Sequence, residues 1–266
     1  MARTAVKATK TTSAAAPAPG SWEDELARYA QQSAKVGDAV AGAGAWLTFK
    51  SGVLAFKGLP IKGNAIECVI LDECLENLYY AGQYDPDAPA SPICYALARE
   101  AAGMAPHATS PKPQHTTCAG CPQNAFGTSN TGKGKACKNT VRLALIAWGD
   151  GSEKQLASCE VAFAKLPVTS TRNWGRYTLS LRESLGLPPL GVVTRLSVRP
   201  DSKTQLQVEF ERVSSVPAKF GATLLARRRD AVAALIPEVP YQQVDREEQP
   251  TNTKKNAKVP ARRAKY

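Results

Sequence analysis

Apolar residues in this chain recur at helical spacing in three segments. In the middle segment Trp174, Tyr177 and Leu181 share one face, hydroxyl residues precede the helix, and Gly186 marks its end. In the first segment Trp22 lies at the same spacing as Leu26 and Tyr29, with acidic residues in the first turn. Helices are therefore predicted over 22–40, 169–186 and 218–236.

Elsewhere the apolar residues form short runs that glycine interrupts, which is typical of strands. The runs at 45–50 and 53–58 are separated by Ser51-Gly52, which favours a hairpin. A much longer run, 63–80, predicts one long strand or a strand with a bend. Further strands are predicted at 141–150 and 159–167, and a last hairpin joins 190–200 to 204–213 across Asp-Ser-Lys.

This order of elements favours short antiparallel strands with a few helices over an alternating β-α-β sheet. We predict a mainly β fold with α additions: an OB-like, five-stranded antiparallel barrel built from about 45–80 and 141–213. Between them, residues 85–140 are rich in Pro, Gly, Ser, Thr and Asn and only weakly periodic. An insert of that length with little regular structure needs a stabilising interaction, and a bound metal would provide one.

Charge is concentrated at the two ends of the chain. The net charge is +11, and residues 1–20 and 251–266 carry three and six basic residues with no acid. The predicted organisation is a disordered basic tail (1–20), one domain (21–240) with its insert at about 85–140, and a second disordered basic tail (241–266). Basic tails suit loose contact with phosphates, or serve only to keep the ends soluble.

The composition also excludes some classes of protein. No apolar run approaches the roughly 20 residues of a membrane span, and the first residues lack the apolar core of a secretory signal. A reducing cytoplasm is therefore expected, where grouped cysteines more often bind metal than form disulfides.

Three cysteines in the insert have the grouping of a metal site. Cys118 and Cys121 are spaced to share one tetrahedral ion, and Cys137 is within the usual reach of the same ion. Cys94 is the favoured fourth ligand, with His115 or His107 as alternatives. Structural zinc fits this set best, and an iron–sulfur cluster is a minor alternative. The remaining cysteines, Cys68, Cys74 and Cys159, are predicted to be small buried residues.

The glycines and lysines after Cys121 resemble a phosphate-binding loop only in part. Gly127 and Gly132-Lys133 have the spacing of a P-loop, but Gly134 stands where a hydroxyl residue is needed. A basic turn that contacts nucleic-acid phosphates without nucleotide specificity is the favoured functional interpretation.

Catalysis has little support in the sequence, and no catalytic residue is predicted. The hydrolase motif G-x-S-x-G is missing, and neither histidine has the glutamate that a zinc deaminase requires. Asp72 and Glu76 could bind magnesium in a nuclease, but on a bent strand they are expected to face solvent.

Aromatic and basic residues alternate in several segments, as in proteins that bind single-stranded nucleic acid. The candidate contacts are Lys50, Phe56, Lys57, Tyr79, Tyr80, Lys133, Lys135, Lys138, Arg142, Arg172, Trp174 and Arg176.

These segments also resemble a known family. The stretches "GNAIECVILDECLENLYYAGQYDPDAPASPICYA" and "PHATSPKPQHTTCAGCPQNAFGTSNTGKGKACKN", followed by "LPVTSTRNWGRYTLSL", are similar to tailed-bacteriophage proteins associated with single-stranded DNA binding. The resemblance covers about 40–215. In plan, the chain is also similar to the helix-destabilising proteins of T-even phages, an OB barrel with a zinc loop. It departs from such binders in its basic end, where they often carry an acidic tail that recruits replication enzymes.

The resemblance implies sequence-tolerant binding of single-stranded DNA during phage replication or recombination, in the cytoplasm of the infected bacterium. It also implies a structural zinc and possible contacts with replication or recombination proteins. Two alternatives remain: a metal-dependent nuclease or other DNA-processing enzyme, and a zinc-module protein that modulates a polymerase.

Overall fold

A computed structural model describes residues 22–41, 45–82, 90–238 and 241. The predicted basic tails, apart from Tyr241, lie outside the described residues. Four α-helices are present in the described residues: α1 (Trp22–Ala41), α2 (Glu153–Ser158), α3 (Thr171–Leu185) and α4 (Gly221–Leu235). Three of them confirm the predicted helices, and Gly186 ends α3 in the left-handed conformation with φ 64°. No helix in these ranges has the length and apolarity to cross a membrane.

Nine strands form a single sheet, which confirms a mainly β fold with α additions. They are β1 (Trp46–Thr48), β2 (Ala55–Phe56), β3 (Leu59–Pro60), β4 (Ala65–Tyr79), β5 (Cys94–Ala98), β6 (Lys138–Ala147), β7 (Ala162–Lys165), β8 (Val192–Asp201) and β9 (Gln205–Ser215). The predicted hairpin across Asp-Ser-Lys is formed by β8 and β9.

The sheet differs from the predicted five-stranded barrel in strand number and in closure. Its order is β3-β2-β1-β7-β6-β4-β8-β9, with β5 also paired to β4, and no ladder among the described strands joins β3 to β9. The sheet curls as a half-barrel. One pairing, β1 with β7, is parallel, and this long-range contact brings the first hairpin next to the middle of the sheet. Apolar periodicity carries no information about such a pairing, since it reports only on local structure.

The longest strand, β4, organises the sheet. Residues 65–68 pair with β8, residues 75–79 pair with β5, and β6 runs along the other edge. The register shifts between Ile70 and Asp72, so a β-bulge changes which side chains face each side of the sheet. The predicted long strand with a bend is therefore confirmed.

Each face of the sheet packs against one helix. On one face Leu143 and Leu145 pack with Trp174 and Tyr177 of α3, and the Tyr177 hydroxyl lies 2.6 Å from Thr194 Oγ1. On the other face, apolar residues of β4 and β6 pack against Leu224 and the rest of the buried side of α4. The half of this second face that α4 leaves free contains the charged residues described below.

Candidate metal centre and nucleic-acid interface

Four cysteines from the insert line one small cavity beside the end of β4. Cys94 begins β5, Cys118 and Cys121 lie in the long connection, and Cys137 directly precedes β6. The cavity has a volume of about 20 Å³, which is room for one water-sized occupant or one ion. Because β5 and β6 both pair with β4, the sheet itself brings Cys94 and Cys137 to the same place.

The pKa values of three thiols show how close the cysteines are to one another. Burial, followed by negative charge on Cys118, Cys121 and Cys94, raises the pKa of Cys137 to about 12. The pKa of Cys118 is raised by burial and then by Cys94 and Cys121, against a hydrogen bond from Asn77. Burial also raises the pKa of Cys94. Without a cation these thiols stay protonated, since four thiolates in one place would repel each other.

Backbone hydrogen bonds fix the connection around this cavity. The Cys118 N–H donates to Met104 O at 2.8 Å, and the Cys137 N–H donates to Gln123 O at 2.8 Å. The Asn124 side chain donates to Cys118 O, also at 2.8 Å. From residue 90 onward the insert is therefore an ordered loop whose cysteines line the cavity, rather than a structureless segment.

The two histidines differ in their relation to the cavity. His115 lines it, but its Nδ1 accepts a hydrogen bond from the Thr117 N–H at 3.2 Å. His107 is not among the described residues that line the cavity, and its ring stacks on Tyr95 at 5.7 Å between centroids. Of the three candidates for a fourth ligand, Cys94 and His115 line the cavity and His107 does not.

Four cysteine thiols are a donor set typical of structural zinc sites. Within the described ranges, no three or more His, Cys, Asp or Glu side chains are close enough together to hold a metal ion. Four cysteines instead line one cavity. A cavity of about 20 Å³ suits a single ion better than an iron–sulfur cluster. The other cysteines lie elsewhere: Cys68 and Cys74 are buried, as predicted, and Cys159 is half-buried.

The turn after Cys121 presents an exposed aromatic ring beside lysines. Phe126 is 80% exposed, and Lys135 Nζ lies 5.2 Å from its ring centroid. Lys133 and Lys138 are exposed, whereas Lys135 is half-buried and donates to Asn124 Oδ1 and Asn139 Oδ1. Phe126 was not among the predicted contacts. Its position among Gly, Ser, Thr, Asn and Lys, with no large apolar neighbour in sequence to pack against, is the signal that would have identified it.

The backbone of this turn is closed on itself. The N–H groups of Gly127 and Ser129 both donate to Gly134 O at 3.0 Å, and the Gly134 N–H donates to Ser129 Oγ. Gly127 and Gly132 have φ values of 89° and 69°, which favour glycine. These N–H groups are used within the turn, so the turn offers lysine side chains to an anion rather than the amide cradle of a P-loop.

One predicted nucleic-acid contact is wrong, and a second is covered by the protein's own residues. Trp174 is 5% exposed and packs against Phe210 in the core, so its ring has no free face for a base. Arg142 is buried, and its guanidinium binds the Glu76 carboxylate at 2.5 Å. An arginine is usually exposed, but Trp46, the C-terminal end of α4 and Tyr241 all contact Arg142.

The expectation that Asp72 and Glu76 face solvent is also wrong. Asp72 is 6% exposed and binds Arg99 through two hydrogen bonds, at 2.6 and 2.9 Å, with Arg228 Nε at 3.3 Å. Burial raises the pKa of Asp72, but the hydrogen bonds and charges of these arginines outweigh burial and hold the pKa below its usual value. Each of the two carboxylates contacts two cations, so neither presents a free oxygen to solvent.

The remaining candidates are spread over the molecule. Lys50 lies in the β1–β2 connection and is exposed, and Lys57 pairs with Glu160 at 3.0 Å. Arg172 and Arg176 are exposed on α3. Phe56, Tyr79 and Tyr80 are all half-buried. Among the predicted contacts within the described residues, Lys135 of the cysteine loop is the one that lies over a largely exposed ring, that of Phe126.

Comparison of the chain with protein-family models, with curated proteins and with solved structures finds no match.

Proposed function

We propose that the protein binds single-stranded DNA without strict sequence preference, and that a zinc ion held by Cys94, Cys118, Cys121 and Cys137 fixes the loop that contacts the strand. The observation that carries the proposal is the exposure of Phe126 on that loop, with Lys135 Nζ 5.2 Å from its ring centroid and Lys133 exposed on the same loop. The proposed setting is phage replication or recombination in an infected bacterial cell, with replication or recombination proteins as partners.

The chemistry of the loop suits unpaired bases. A ring that is exposed on a soluble protein costs free energy unless a partner covers it, and every base has a flat face that can stack on it. Lysines beside the ring can hold the phosphates on either side of the stacked base. A duplex hides its base faces, so this arrangement favours single strands.

The zinc ion would act on structure and not on chemistry. Bound by four thiolates, it would crosslink β5, β6 and the connection between them, and the site would have no open position for a substrate. The curled sheet serves as the rigid platform that an OB barrel provides in other binders. The nuclease alternative gains no support, because Asp72 and Glu76 are held in buried ion pairs.

The test is a titration of fluorescent oligo-dT into the protein at a series of salt concentrations. We expect log affinity to fall linearly with log salt, because bound lysines release counterions from the phosphates. Lys133→Ala should make the slope shallower by about 0.7, the value for one contact to a single strand. Lys154→Ala, which removes an exposed cation from α2, should change the slope less. Weak binding that is indifferent to salt would contradict the proposal and favour the polymerase-modulating alternative.

Phe126→Ala tests the stacking contact separately. We expect the variant to lose about 1–3 kcal/mol of binding free energy for oligo-dT, with the salt slope unchanged, since the side chain carries no charge. Trp22→Ala is the matched control, because Trp22 is also largely exposed but lies among acidic residues at the start of α1. Equal losses in both variants would show that Phe126 makes no specific contact.

A further inference from the structure

Tyr241 occupies a polar, aromatic site on the half of the sheet that α4 leaves free. This site, here called the seat, is formed by Tyr95, Arg142 and Lys165 around Glu76. Its hydroxyl donates to Glu76 Oε1 at 2.5 Å and accepts from Lys165 Nζ at 2.6 Å and from Arg142 at 3.0 Å. Its ring lies 5.0 Å from the ring of Tyr95 between centroids. The two cations also face this ring, with Lys165 Nζ at 5.0 Å and the Arg142 guanidinium at 5.4 Å.

The residues around the seat come from five neighbouring strands. The Arg142 guanidinium also lies over the ring of Trp46 of β1, 5.6 Å from the ring centroid. Register places Arg142 opposite Lys165, and Leu78 opposite both Tyr95 and Lys138. Because directly opposed residues share a face of the sheet, Lys138 lies on the same face as the seat. The seat and the exposed lysine at the start of β6 therefore form one continuous surface.

The charge of the seat is unbalanced. Glu76 supplies one negative charge, whereas Arg142 and Lys165 supply two positive charges. Tyr241 brings a ring and a neutral hydroxyl, so it leaves the excess positive charge in place. Tyr241 therefore fills the space of the seat but does not neutralise its excess positive charge.

We propose that this seat, formed by Tyr95, Arg142 and Lys165 around Glu76, is a second site for a nucleobase of single-stranded DNA, and that Tyr241 and the base compete for it. A base has the features that Tyr241 uses there: a flat aromatic face, and an edge with hydrogen-bond donors and acceptors. Unlike Tyr241, a nucleotide also carries a phosphate, which meets the excess positive charge and the nearby Lys138. This inference rests on the proposed function and extends it to a site that the protein itself covers.

The first experiment measures the affinity of the full-length chain for oligo-dT after Tyr241→Ala. We expect affinity to rise about fivefold or more, because stacking one base on an aromatic ring raises the affinity by at least about that factor. Tyr241→Phe keeps the ring in the seat and should give a smaller gain. Tyr95→Ala in the Tyr241→Ala background should cancel the gain. Unchanged or weaker binding by a folded Tyr241→Ala variant would overturn the inference.

A second measurement uses the unaltered protein. Nitration of Tyr241 by tetranitromethane, followed by mass spectrometry, should become several-fold faster at saturating oligo-dT, because the bound base displaces the tyrosine into solvent. A rate that stays constant while the oligonucleotide binds would overturn the second site and leave the Phe126 loop intact. If the wild-type chain does not bind oligo-dT at all, the proposed function fails, and this site fails with it.

Discussion

Replacing Glu76 with glutamine is expected to lower the free energy of unfolding by about 3 kcal/mol or more. The side chain is 0% exposed and lies between Arg142 and Lys165, so its loss leaves two cations without a counter-charge. Arg142 is almost wholly buried and has no route to water, and removing one partner of a buried pair is costly for that reason. Glutamine has nearly the same volume, so the loss reports on charge and not on a cavity. Urea denaturation measures it.

The control for this variant is Glu209→Gln. Glu209 pairs with Arg199 at 2.6 Å, but both side chains are well exposed at the β8–β9 hairpin. Such a surface pair contributes less than about 1 kcal/mol. If the two variants unfold at the same urea concentration, the buried cluster does not stabilise the sheet as described.

Cys121→Ser is expected to abolish zinc binding and to weaken oligo-dT binding at least tenfold. Serine is a poor ligand for zinc, and three thiols leave a structural site open to water. The apparent free energy of such sites reaches about 10–16 kcal/mol, so losing the ion should also loosen the loop that carries Phe126 and its lysines. The measurements are zinc per chain by elemental analysis and affinity by fluorescence anisotropy.

Cys159→Ser serves as the control for the cysteine substitution. Cys159 is half-buried at the end of α2, away from the cavity, with its sulfur near Leu156 O. This variant should keep about one zinc per chain and wild-type affinity. A Cys121→Ser protein that retains wild-type affinity without zinc would break the link between the ion and DNA binding.

Local structure was largely predictable from the sequence. Apolar periodicity gave α3 and α4, and the length of the run at 63–80 predicted a bent strand, which the bulge near Ile70 confirms. The grouping of the cysteines predicted a common site, and pairing of β5 and β6 with β4 is the reason that they converge. Spacing placed Cys118 near Cys121, and Cys94 was already the favoured fourth ligand; its pairing strand β5 explains why it reaches the same cavity.

Features that depend on distant parts of the chain were not predictable. The parallel pairing of β1 with β7 has no local signal. Charged residues such as Arg142 and Glu76 are usually exposed, and here Tyr241, 99 residues beyond Arg142, returns to cover them. Phe126 was missed for the opposite reason: its exposure follows from a turn that closes on itself and offers the ring no core.

The most direct test of the account measures metal content and DNA binding in one sample, before and after a chelator removes the metal. The account predicts about one zinc ion per chain, tight salt-dependent binding of oligo-dT, and a loss of at least tenfold in affinity once zinc is removed. A protein that binds oligo-dT equally well with and without zinc, or that fails to bind it with zinc present, would contradict the account.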